Sequence, residues 1–271
     1  MSVLSASGAG VRHHRRWLLR DLDLTAGRGE IVAVTGPPGS GRTSTVLALA
    51  GKLRLSAGKV ALGGTSALAH VTGVNDPEPV FTVREHVAER LALLGRPRRE
   101  AAAVDLHGLD PGLRGSDLTP YQKQVLGLIL ARLAKPALIA LDGVDSGLDE
   151  QEQAALWALI GEVIAEGVTV LVTARAVDPG RVSRVVLLDD PQSGEPGHAR
   201  VQESPPPVDG PVEEAPANDE PVEEAPVEEA PVEEAPVGET RTEEAPAEGE
   251  PADKAPIGEA PVEDIEERGK K

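Results

Sequence analysis

Between residues 36 and 43 the chain reads GPPGSGRT. Glycines at 36, 39 and 41 let a backbone turn tightly, with no Cβ in the way, and expose its amides as donors. Arg42 adds a cation, and Ser40, Thr43 and Ser44 add hydroxyls. Amides, a cation and hydroxyls on one turn suit a phosphate, and Thr43 is placed to offer its oxygen to magnesium. The common pattern has lysine directly before the Ser/Thr, and here Arg42 stands in its place. Arginine keeps the charge and can fork onto phosphate oxygens, but it is longer and planar, so it suits binding better than lysine-like transition-state geometry. The expected phosphate-binding set is therefore Gly36, Gly39, Ser40, Gly41, Arg42, Thr43 and Ser44. A second piece lies about a hundred residues on, where ALIALD (137–142) ends in Asp142. An apolar strand ending in a carboxylate can reach the shell of a phosphate-bound magnesium, so Thr43 and Asp142 are the expected metal ligands.

Such residues need a scaffold. Glu30–Thr35 (EIVAVT) is a short apolar run before the glycine turn, and TSTVLALAGKL after it has helical spacing. Residues 137–142, 168–173 and 185–188 are further apolar runs of strand length, with helix-like stretches at 121–134 and 150–166 between them. Short buried strands alternating with amphipathic helices predict an α/β domain, a mostly parallel sheet flanked by helices. The predicted domain covers residues 1–190, enough for one core.

From Pro191 the composition changes. PVEEA recurs at 211–215, 221–225, 226–230 and 231–235, with degraded copies to about residue 265. Proline at every fifth position blocks helix, and the units carry too little apolar surface to offset the entropy of ordering them. Residues 191–271 are expected to form a disordered acidic tail, serving as a solubilising spacer or as an electrostatic contact for a basic partner or for the Arg12–Arg16 cluster. The net charge of −18 resides entirely there: residues 1–190 hold 21 acidic and 21 basic side chains, and residues 191–271 hold 24 and 6. Nothing in that balance favours nucleic acid.

Absent chemistry narrows the reading further. There is no cysteine, hence no disulfide or thiolate metal site. The six histidines show no chelating spacing, and no Ser/His/Asp arrangement is recognisable. Without an apolar leader or an apolar run of about 18 residues, the expected compartment is the cytoplasm. Trp157 sits among Leu156, Leu159 and Ile160 and is expected to pack in the core. Arg12-His13-His14-Arg15-Arg16 reads as a solvated turn, with anionic lipid or the tail as alternative contacts.

Taken in order, these segments resemble the ATPase cassette of ATP-binding cassette (ABC) transporters, a P-loop NTPase. Residues 47–64, 81–87 and 122–142 match that family's segments in sequence and spacing, and Ser146–Asp149 carries its SGLD contact loop. The resemblance covers about residues 10–190. It implies MgATP as cofactor, a separate membrane-spanning subunit as partner, a peripheral place at the inner face of the cell membrane, and a homodimer or a heterodimer with another cassette. It also implies that an aromatic near Trp17 stacks on adenine, although the strict alignment puts His13 closer and ordinary packing of Trp17 is the rival. Four family features are altered. The LSGGQ signature reads LTPYQ (118–122), the catalytic glutamate position is Gly143, the glutamine-loop position falls at Asn75 or Asp76, and the switch histidine at Ala174 or Arg175. Nucleotide binding with weak or absent hydrolysis is expected. The alternative is a pseudo-ATPase scaffold acting through its acidic tail.

Overall fold

In the computed structural model the described residues are 2–192 and 196–203. The PVEEA-like repeats lie outside the described residues; of the tail expected to be disordered, 191–271, only 191–192 and 196–203 are described, and there Ala199–Glu203 is a strand rather than disordered chain.

The apolar runs become strands where expected: β3 (Ile31–Thr35), β6 (Leu138–Leu141), β7 (Thr169–Ala174) and β8 (Arg184–Leu188). With β5 (Ser66–Leu68) and β9 (Ala199–Glu203) they form a six-stranded sheet in the order β5-β6-β7-β3-β8-β9. All pairings are parallel except that of β8 with β9. The predicted boundary at residue 190 therefore falls short of the sheet's edge. Ala199–Glu203 (ARVQE) is short and almost wholly exposed, so it lacks the apolar signal that marks the inner strands.

A second sheet was not legible as such. β1 (Ser2–His13), β2 (Arg16–Gly27) and β4 (Ala57–Leu62) make an antiparallel sheet in the order β2-β1-β4. Register shifts at Ser2/Leu4, Ala6/Ala9, Ala9/Val11 and Val11/Arg12 break its period-two pattern, which hides the strands from a periodicity argument. The Arg12–Arg16 cluster is the tip of the β1–β2 hairpin and is exposed, as a solvated turn should be.

Each face of the parallel sheet has its own core. Along β3, Val32 and Val34 join the cluster shared with the antiparallel sheet and α1 (Arg42–Leu49). Ile31 and Ala33 face the other way, into the cluster shared with α3 (Pro120–Arg132) and α4 (Glu150–Ala165). This is the alternation of a strand buried on both faces. Trp157 is partly buried against that second cluster. A third cluster joins α2 (Val83–Leu93) to α3 through Val87, Leu91, Val125 and Ile129. Because β3, β6 and β7 run parallel, the turns that follow them emerge at one end of the sheet, where open α/β sheets place ligands.

Candidate functional site

The glycine turn joins β3 to α1. The first bond of the helix runs from the Thr45 amide to the Gly41 carbonyl at 2.8 Å. The amides of Gly41, Arg42, Thr43 and Ser44 therefore open α1 without an intrahelical acceptor. No side chain caps this end, whereas α2, α3 and α4 each carry a complete capping box. Gly41 has φ +99°, and a Cβ there would stand 2.7 Å from the Leu18 carbonyl oxygen. Only glycine lets β2 approach this closely while the amide stays outward. The Ser40 hydroxyl is buried and finds no hydrogen-bond partner among the described residues, and Arg42 makes no ion pair there. A turn with open amides, an orphaned hydroxyl and an unpaired guanidinium fits an anion.

Asp142 follows directly after β6, and the sheet brings it to Thr43. The Thr43 hydroxyl lies 2.9 Å from Asp142 Oδ2 and 3.1 Å from Oδ1. The two expected metal ligands thus share one corner of the glycine turn. A hydroxyl and a carboxylate, both hard oxygen donors, fit magnesium, which usually takes one or two protein oxygens plus phosphate oxygens. Three further contacts fix Asp142. Its amide donates to the His70 carbonyl at 3.0 Å, its carbonyl accepts from Gln124 Nε2 at 2.7 Å, and its Oδ1 accepts from the Thr173 hydroxyl at 2.5 Å. Sequence reasoning missed Gln124, Thr173 and Leu18. A polar Thr173 near the end of the apolar run VTVLVT was the one available signal.

Trp17 lies on β2 beside Leu18, which touches Gly41. Its ring sits 5.7 Å from the Arg12 guanidinium, and a Cβ on Gly10 would come within 3.0 Å of it. The indole is therefore packed against its own hairpin, one residue along β2 from the Leu18 that lies against Gly41.

The altered family positions are engaged elsewhere. Asn75 spends its amide on the Ala69 carbonyl (2.5 Å) and the Val71 amide (2.8 Å). Asp76 accepts from the Gly73 amide (2.7 Å) and meets His70 Nε2 at 3.0 Å. These contacts, the imidazole's first, hold the Asp76 carboxyl below the ordinary carboxylate range. Gly143 has φ +66°, and a Cβ there would lie 2.8 Å from the Ser146 hydroxyl. Ala174 ends β7, and the Arg175 amide donates to Asp145 Oδ2 at 2.7 Å. The LTPYQ segment closes a capping box: the Gln122 amide donates to the Thr119 hydroxyl at 3.3 Å, and the Thr119 amide donates to Gln122 Oε1 at 2.9 Å.

Comparison with known proteins bears on the family and the fold. The family model described as ABC transporter matches residues 19–144. The chain is 32% identical over 189 residues to the cytochrome c biogenesis ATP-binding export protein CcmA of Pseudomonas putida, covering 63% of this chain and 88% of that protein. It is 32% identical over 168 residues to the zinc import ATP-binding protein ZnuC of Rhizobium meliloti, covering 60% of this chain and 55% of that one. Among solved structures, cbiO1 of Clostridium perfringens, part of the ABC transporter complex cbiONQ, superposes with a TM-score of 0.63 at 17% identity, over 75% of this chain and 88% of that one. The ADP- and phosphate-bound dimeric cassette MJ0796 superposes with a TM-score of 0.62 at 16% identity, over 74% and 99%. Those two likenesses are of fold. With the relative at 32% identity spanned over 88% of its length, the chain belongs to the ATP-binding protein family of ABC transporters.

Proposed function

We propose that this chain is an ATP-binding subunit that holds MgATP, hydrolyses it weakly or not at all, and couples to a separate membrane-spanning protein. The observation that carries the reading is the meeting of Thr43 with Asp142 at the mouth of the glycine turn. Thr43 and Asp142 would hold magnesium, whose chemistry when bound is to neutralise phosphate charge. The open amides from Gly41 to Ser44 and the Arg42 guanidinium would bind and orient the phosphates, and Trp17 flanks the same turn as the candidate base-stacking surface.

The catalytic side is what is missing. A general base within reach of the attacking water commonly contributes about 10² to 10⁴ in rate. Gly143 offers no side chain at that position, and its left-handed backbone would send one elsewhere than an ordinary residue does. The signature helix is capped by its own Thr119 and Gln122, and Pro120 at its first position has no N–H to give a partner's phosphate. A dimer with a more complete cassette would supply a glutamate that this chain lacks.

Coupling requires an exposed apolar surface linked to the site. Val74 and Val80 are 53% and 65% exposed on the segment between β5 and α2. The base of that segment is His70, whose carbonyl accepts from the Asp142 amide.

The test is calorimetric titration of the full chain with MgATP, beside an Arg42→Ala variant. Saturable binding in the wild type, weakened about 10-fold or more in the variant as loss of charge-assisted phosphate bonds predicts, supports the reading. Absence of binding in the wild type overturns it and moves attention to the acidic repeats. Steady phosphate release by the chain alone, well above background, overturns the claim of weak hydrolysis.

A further inference from the structure

We infer that Thr173 is a positioning residue for Asp142: it occupies the Oδ1 oxygen and leaves Oδ2, beside the Thr43 hydroxyl, as the oxygen that faces magnesium. The inference rests on the MgATP reading above and adds a residue that neither the glycine turn nor the strand-end aspartate motif contains.

The hydrogen-bond accounting at Thr173 leaves one solution. A threonine hydroxyl has one proton and two lone pairs. The Gly143 amide lies 2.7 Å from it and can only donate. The hydroxyl's own proton is then committed to Asp142 Oδ1, 2.5 Å away. Thr173 is 2% exposed, so no water competes for the bond. The backbone cannot drift either, because Thr173 sits in β7, whose Val172 pairs with Leu141, the residue before Asp142.

The remaining freedom of Asp142 is rotation of its carboxylate. Its amide is held by the His70 carbonyl and its carbonyl by Gln124 Nε2. Oδ1 takes the Thr173 proton, and Oδ2 is the oxygen closer to Thr43, at 2.9 Å against 3.1 Å. Without Thr173 the carboxylate keeps only the Thr43 hydroxyl, which reaches both of its oxygens and selects neither, and the Gly143 amide loses its acceptor. Outer partners of this kind commonly change metal affinity about 10- to 100-fold when removed.

The experiment is a titration of the full chain with a fluorescent ATP analogue, once in EDTA and once across a magnesium series. Wild type is compared with Thr173→Val, which keeps the shape without the hydroxyl, and with Thr173→Ser, which keeps the hydroxyl. The expected result is a magnesium midpoint raised about 10- to 100-fold in Thr173→Val, unchanged affinity in EDTA, and recovery in Thr173→Ser. If Thr173→Val does not fold, Thr173→Ala carries the same expectation. An unchanged magnesium midpoint in a folded variant overturns the inference and leaves nucleotide binding standing. Equal weakening with and without magnesium overturns it too, because that is the mark of a merely structural residue. A wild type that binds no nucleotide, or binds it with no magnesium dependence, removes the MgATP reading and this inference with it.

Discussion

Gly143 departs from the family pattern more sharply than Arg42 does. Arg42 keeps a cation where the family pattern has lysine, and it is unpaired among the described residues, so it can serve a phosphate. Gly143 replaces a side chain with none, and its backbone has adopted φ +66°, with the Ser146 hydroxyl close by. Restoring glutamate therefore does not restore geometry. Gly143→Glu is expected to lower stability by about 1–2 kcal/mol, the cost of a non-glycine residue in the left-handed region. Urea denaturation reads that loss, and phosphate release is expected to stay at the wild-type level. Gly41→Asp is a poor probe of binding for a related reason, since its Cβ would meet the Leu18 carbonyl and disturb β2. At His70–Asp76 the residue scale also sets a pH dependence. The imidazole contact and the Gly73 amide depress the Asp76 carboxyl in the folded chain. Its contribution to stability is fully present above the unfolded value of about 4, and is lost as pH falls through the lowered folded value. Asp76→Asn is expected to be less stable than wild type at neutral pH, with the gap closing below about pH 4 in melting experiments.

At the scale of elements, the contrast between helix ends is informative. α2, α3 and α4 each begin with a reciprocal box: Thr82 with Glu85, Thr119 with Gln122, Asp149 with Glu152. Those ends satisfy their own donors, and α1 leaves its donors open at the glycine turn. Asp149→Ala removes the α4 cap and is expected to cost about 1 kcal/mol of stability, read by chemical denaturation, with nucleotide affinity unchanged. Thr119→Ala is expected to cost a similar amount. If it also weakened nucleotide binding by the isolated chain, the signature segment would have a direct role that its capping contacts do not suggest.

At the scale of the whole molecule, the question is what the nucleotide changes. Among the described residues no helix is long and apolar enough to cross a membrane. The coupling proposed above runs from Asp142 through His70 to the segment bearing Val74 and Val80. Val74→Asp with Val80→Asp is expected to reduce recovery of the chain with membranes while leaving MgATP affinity within about twofold, since both residues are exposed and away from the glycine turn. Fractionation and calorimetry on the same preparation check both halves of that statement.

The sequence by itself determined the family and the frame, and it marked the residues proposed above to carry the chemistry. The spacing of Gly36, Gly39, Gly41 and Thr43, and the apolar runs ending near Thr35 and Asp142, are local signals, because a glycine turn and a twice-buried strand are written in consecutive residues. The three helices at 42–49, 120–132 and 150–165 overlap the predicted spans for the same reason, with boundaries that differ by up to four residues. Tertiary structure alone decided the rest. The antiparallel sheet is interrupted by register shifts, so its pattern is not periodic. β9 pairs at an exposed edge, so it needs no apolar run. Thr173, Gln124 and Leu18 act on residues 31, 18 and 23 positions away along the chain, through contacts that only strand order and packing create. The left-handed turn at Gly143 belongs to the same class: a glycine in the sequence permits it, and the packing around Ser146 and Thr173 selects it.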